Sequence, residues 1–347
     1  MTVKQAREAA RKWMVEEAGG IPGFWGAYSG GSTNWLPEDV ELTAASDLDI
    51  MVVLAGRDQP GARRKFVYHD ILLEVSYLRQ GQFQSAEQVL SDYHLAPGLH
   101  TAKIIFDPFG HLSPLKAIVS REYAKRLWVR RRCAGARDKV LASLRPVSEN
   151  LALHDQVIAC LFAAGITTHV LLIAGLKNPT VRTRYVAIRD VLAGYGHQEF
   201  HETLLELLGS ARLSPERVTG HVAALAEVFA AASTHIRTPF SFASDVNNCS
   251  RAISIDGSVE LIERGYHREA MFWIGVTHSR CQKILSSDAP ERLNRSFKDS
   301  YLELLGDLGV SGFPGIQRRC TEIERILPRV SDVAESIIAL NGQIEDD

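Results

Sequence analysis

"YSGGSTNWLPEDVELTAASDLDIMVVL", residues 28–54, sets a Gly-Gly-Ser turn ahead of two aspartates spaced by one residue. Asp47 and Asp49 stand at the head of the apolar run Ile50 to Leu54. Residues i and i+2 of a strand project from the same face, so the two carboxylates point together. Two ionised carboxylates that close repel unless something compensates them. A divalent cation is the common compensation. Hard oxygen donors suit Mg²⁺, which fills its remaining positions with water and phosphate. The competing reading is a strand that simply opens with solvent-exposed acids.

The flanking sequence adds three features. Upstream, a strand near Phe24 to Tyr28 feeds directly into Gly30, Gly31 and Ser32. A glycine-rich turn between a strand and a helix exposes backbone N–H groups and favours anions, although glycines also serve plain turns. Next, Ser46 immediately precedes the first aspartate. Downstream, "RRKFVYHDILLEVSYL" reads as a hairpin with strands near 64–69 and 71–78, turning at His69-Asp70. On its second strand Leu73, Val75 and Tyr77 alternate with Leu72, Glu74 and Ser76. A glutamate inside an apolar strand is costly unless it is ion-paired or bound to metal. Glu74 therefore either joins the aspartates in a two-metal site or pairs across the hairpin with an arginine such as Arg64.

Beyond residue 114 the pattern changes to long helical segments, expected over 115–144, 147–176, 180–194, 197–208, 215–232, 258–286, 290–308 and 314–342. Breaks at Pro146, Asn178-Pro179, Ser214-Pro215, Pro239, Pro290 and Pro314 punctuate them. The chain thus reads as α+β, a mixed sheet with flanking helices followed by an all-helical bundle, with the boundary near 113–120. "VIACLFAAGITTHVLLIAGL", residues 157–176, is nearly long enough to span a bilayer, but His169 in its middle favours a core helix.

Lys plus Arg is 39 and Asp plus Glu is 41, a formal net charge of −2, which argues against a dedicated nucleic-acid partner. Five cysteines form no CxxC pair, as in a reduced, cytoplasmic protein, and the N-terminus carries no secretion signal. The basic run Lys125 to Lys139 spreads around a helix, so a solvated helix paired with acidic neighbours is expected. Arg182, Tyr185 and Arg189 suggest a surface helix, and His267 to Glu269 the polar end of a core helix. The histidines show no zinc spacing.

The order of Gly-Ser turn, Ser-Asp-x-Asp strand and single acid on a later strand resembles the DNA polymerase beta-like nucleotidyltransferase superfamily. Within it the chain looks most like the small-molecule enzymes of aminoglycoside and lincosamide type. The resemblance covers about residues 20–112, with "IIFDPFGHL" similar to their closing strand and turn. It departs in the longer gap from Ser32 to Asp47 and in Asn34-Trp35, where a basic residue or glycine often follows the turn. The resemblance implies a catalytic domain over 1–115 and a helical, acceptor-binding domain over 116–347. It implies that Gly30, Gly31, Ser32 and Ser46 hold a nucleoside triphosphate, ATP by default. Asp47 and Asp49 would bind Mg²⁺, and Glu74 would complete a second metal site or act as general base. The nucleotidyl group would pass to a small hydroxylated acceptor, with release of pyrophosphate. A protein or tRNA acceptor, or a non-catalytic nucleotide-binding protein, is the rival expectation. No membrane partner is expected, and the sequence does not give the oligomeric state.

Overall fold

The computed structural model describes residues 1–18, 20–43, 46–56, 64–240 and 242–347, and not the side chain of Ser32. The first helix, α1 (Val3–Ala18), begins at a reciprocal cap. Thr2 Oγ1 accepts from the Gln5 backbone N–H and Gln5 Oε1 accepts from that of Thr2. Val3, Ala6, Ala10, Trp13 and Met14 recur at helical spacing and are buried.

Among the described residues five strands follow: β1 (Phe24–Ser29), β2 (Leu48–Leu54), β3 (Arg64–Tyr68), β4 (Ile71–Arg79) and β5 (Ile104–Phe106). They form one mixed sheet in the order β3-β4-β2-β1-β5. β2 and β4 run parallel, and the other neighbours are antiparallel. Each face has its own core. Leu48, Ile50, Val52 and Leu54 of β2, with Leu73 and Val75 of β4, pack on α1. On the opposite face Tyr28, Met51, Val53 and Leu78 meet side chains from α2 (Ala86–Ser91), α3 (Leu95–Thr101) and α4 (Leu112–Glu122). Each large apolar side chain so buried contributes about 1.5–3 kcal/mol.

Among the described residues ten further helices follow, from α5 (Arg126–Leu144) and α6 (Leu153–Ala174) to α14 (Gly312–Leu340). The expected fold class is the one observed. The chain divides into two compact units. One comprises residues 1–132, 240–244 and 343–347; the other comprises 133–239 and 245–342. In the helical unit α6 packs on α11 (His267–Asp288) and on α14, and α11 packs on α9 (Pro215–His235). Helix α6 is the one described segment long and apolar enough to cross a membrane, and 83% of its most apolar window is buried.

Three expected helices are interrupted. The segment at 115–144 divides at Tyr123–Lys125 without a proline or glycine. There the Glu345 backbone donates to Ala124 O and accepts from Arg126 N, so the C-terminal segment satisfies groups a continuous helix would use. The segment at 258–286 breaks at Gly265, whose φ of +83° ends α10 (Gly257–Glu263) in a left-handed cap. The segment at 290–308 breaks at Phe297. Helix α3 was unforeseen because Pro97 and Gly98 mark loops; Pro97 falls in its first turn, where its missing N–H costs nothing.

His278 on α11 is buried beside Tyr301, and neither ring nitrogen has a hydrogen-bond partner among the described residues. Burial, with His221 adding, lowers its pKa from 6.5 to about 3. The folded-state value lies below the unfolded one, so the unfolded chain takes the proton first. Stability is complete above the unfolded value and is lost as pH falls toward the folded one. Roughly one unit below 6.5 the loss from this residue is about 1.4 kcal/mol. His278→Leu is expected to remove that increment, read by urea unfolding at neutral and mildly acidic pH. An unchanged pH dependence would show that His278 takes up its proton equally in the folded and unfolded chain.

Candidate active site

The site is built from the end of β1. Ser29 is buried, and its backbone N–H and hydroxyl reach Lys103 O and N at 2.9 Å. Asn34 closes the loop over it. Its Nδ2 donates to Ser29 O at 2.7 Å, and its Oδ1 accepts from the Ser29 hydroxyl at 2.6 Å. The residue that departs from the nucleotidyltransferase pattern is therefore the clasp of the turn. Between them Gly30 N donates to Asp49 O at 2.9 Å, tying the turn to β2. Gly31 has φ +70° and ψ −170°, a conformation essentially confined to glycine. A Cβ there would lie 1.7 Å from Asp49 Oδ2. The missing side chain is what lets the backbone approach that carboxylate.

Strand register brings the acids together. Asp49 on β2 is paired with Glu74 on β4, and both belong to the face that carries Met51 and Leu78. Asp47 shares that face by strand alternation. Glu74 is only 3% exposed. Opposite it on β3 stands Lys65. The Lys65 ammonium lies 2.7 Å from Glu74 Oε2 and 3.1 Å from Asp47 Oδ2, and its side chain is 5% exposed. Tyr28 lies on the same face, and burial, with Asp92 adding, raises its phenol well above its ordinary value.

The structure brings Asp47, Asp49, Glu74, Gly30 and Gly31 into one neighbourhood. Ser46 stands next to it, but its hydroxyl contacts Thr43 Oγ1 at 3.1 Å and its N–H donates to Thr43 O, so it closes a local turn. The Ser32 side chain lies outside the described residues. The expected two-metal arrangement does not fit these residues as they stand. Among the described residues no group of three or more His, Cys, Asp or Glu side chains is placed to hold a metal ion. Between Asp47 and Glu74 the chain supplies a cation of its own.

Sequence reasoning missed Lys65, although its signal was present. His69 and Asp70 have φ of +47° and +61°, a tight two-residue turn. That turn pairs Tyr68 with Ile71 and, three steps back, Lys65 with Glu74. The suggested partner Arg64 is instead opposite Val75, with its guanidinium over the Phe66 ring.

Other candidates resolve into structure. In the basic run Arg131 pairs with Glu87. Arg132 is fully buried, donates to Leu90 O and Tyr123 O, and lies over the Tyr123 ring. Tyr185 is a core residue, and Arg189 covers the Tyr266 ring. Arg268 pairs with Glu202, and Glu269 is buried near His201.

No protein-family model matches this sequence, and no curated protein matches it. Among solved structures, the chain is similar to the nucleotidyltransferase-like protein from Exiguobacterium sibiricum at 12% identity. The likeness covers 75% of this chain and 91% of that one, with a TM-score of 0.29. At that score the functional reading rests on the site itself.

Proposed function

We propose that the sheet-bearing unit moves a nucleoside monophosphate from a nucleoside triphosphate, ATP by default, to a hydroxyl of a small acceptor. The observation that supports this is the contact of Gly31 with the Asp49 carboxylate, across from Glu74. A turn that forgoes a side chain to lie against a carboxylate suits a phosphate chain held by its backbone N–H groups, with a divalent ion between the phosphates and the carboxylate. In this reading Gly30, Gly31 and Ser32 hold the triphosphate. Asp47 and Asp49 would be the carboxylates beside a Mg²⁺ ion carried in by the nucleotide, which would offset the charge of its phosphates.

The acceptor oxygen attacks the α-phosphorus in line as the bond to the bridging oxygen breaks, and pyrophosphate leaves with the electron pair. The acceptor proton passes to a carboxylate of this face. Glu74 is buried and held by Lys65, which makes the less buried Asp49 the more accessible of the two.

The Lys65 ion pairs favour a second reading, a protein that binds a nucleotide without transferring it. Asp49→Asn and Asp47→Asn separate the two. Under the transfer reading each is expected to lower pyrophosphate release by roughly 10²-fold or more, the loss typical when a charge-stabilising group is removed. Release that is unchanged in both variants ends the assignment of these aspartates. A wild-type chain that binds ATP yet releases no pyrophosphate across a panel of hydroxylated acceptors selects the second reading.

A further inference from the structure

We propose that Lys65 is the resident cation of the carboxylate face, keeping divalent ions from settling there unless a nucleotide brings one. This rests on the proposed function only in taking this face as the nucleotide's. Asp49 of β2 and Glu74 of β4 share the face with Asp47, which stands just ahead of β2, and a lysine on β3 enters between Asp47 and Glu74. Lysine is rarely buried, because its ammonium loses strong hydration, and a buried one must be paired. Here one ammonium reaches both Asp47, just ahead of β2, and Glu74 on β4 at hydrogen-bonding distance.

Its position is set by backbone. The tight turn at His69-Asp70 and the ladder of β3 on β4 fix Lys65 opposite Glu74. A surface lysine that met an acid by chance would have neither the register nor the burial. The ammonium already occupies the position between Asp47 and Glu74 that a divalent ion would take. A second ion would bring two charges against an ammonium that cannot leave without uncovering Glu74.

The test uses the full chain without nucleotide, so turnover plays no part in it. Wild type is expected to show no bound Mn²⁺ by electron paramagnetic resonance and no shift of melting midpoint in millimolar manganese. Lys65→Met is expected to bind Mn²⁺ and to regain several degrees of melting midpoint when manganese is added, since the ion takes over the neutralising role. Lys65→Arg should behave as wild type. The double variant Lys65→Met with Glu74→Gln, which removes both charges, should fold without a manganese response.

Nucleotide-free Mn²⁺ binding by wild type as strong as that of Lys65→Met would overturn the proposal. So would a Lys65→Met chain that is indifferent to manganese, or one that stays unfolded with and without it. A wild-type chain that fails to release pyrophosphate sinks the transfer reading and leaves these outcomes unaffected.

Discussion

Gly31→Val is expected to destabilise the sheet-bearing unit by roughly 3 kcal/mol or more and to weaken nucleotide binding with it. Two costs add. The backbone of Gly31 lies in a region that other residues enter only with strain, at about 1–3 kcal/mol. The new side chain also overlaps the Asp49 carboxylate, and overpacking of this kind costs typically 1–3 kcal/mol. Alanine would meet the same atom, so the effect follows from any Cβ and not only from valine's branching. Urea unfolding reads the first effect and titration with ATP the second. Wild-type stability would mean that the turn does not approach Asp49. Wild-type affinity in a destabilised variant would move the phosphate site elsewhere.

Asp245→Ala is expected to cost the helical unit about 3–5 kcal/mol, the usual penalty for removing one partner of a buried ion pair. Asp245 Oδ2 accepts from Arg280 Nη1 at 2.7 Å, and the two side chains are 4% and 2% exposed. Arg280 also lies over the rings of Phe162 and Trp273, so its guanidinium cannot swing to solvent without opening the core. The double variant Asp245→Leu with Arg280→Met should recover most of the loss, because well-packed apolar residues often replace such pairs without penalty. Denaturant midpoints of the single and double variants form the test. A single-variant cost below about 1 kcal/mol would place the pair among solvated ones.

Much of this was legible in the chain. The two-residue period put Asp47 and Asp49 on one face; the apolar run behind them hides that Leu48, Ile50 and Val52 bury on one side while Met51 and Val53 join Asp49 on the other. The glycine pair after a strand marked the turn because only glycine accepts the Gly31 conformation. The ion pairs of Lys65 follow from the register that the His69-Asp70 turn sets, a step that propensity alone does not take. His69 and Asp70 are unusual where asparagine and glycine are preferred. The division at Tyr123–Lys125 was hidden for a different reason. Its cause, a backbone pairing with Glu345, lies more than two hundred residues away, beyond the reach of any local window.

The His69-Asp70 turn acts as a ruler. Two residues of loop decide that Lys65 counts off against Glu74, and strand geometry leaves no intermediate setting. One inserted residue that slipped β3 by a single step would rotate the whole strand. Lys65 would then pass to the α1 side, and Phe66 would be carried over the acids. Charge balance on the carboxylate face is thus written in the length of a loop as much as in the identity of its residues. A relative with a longer turn would have to neutralise Asp47 and Glu74 by other means.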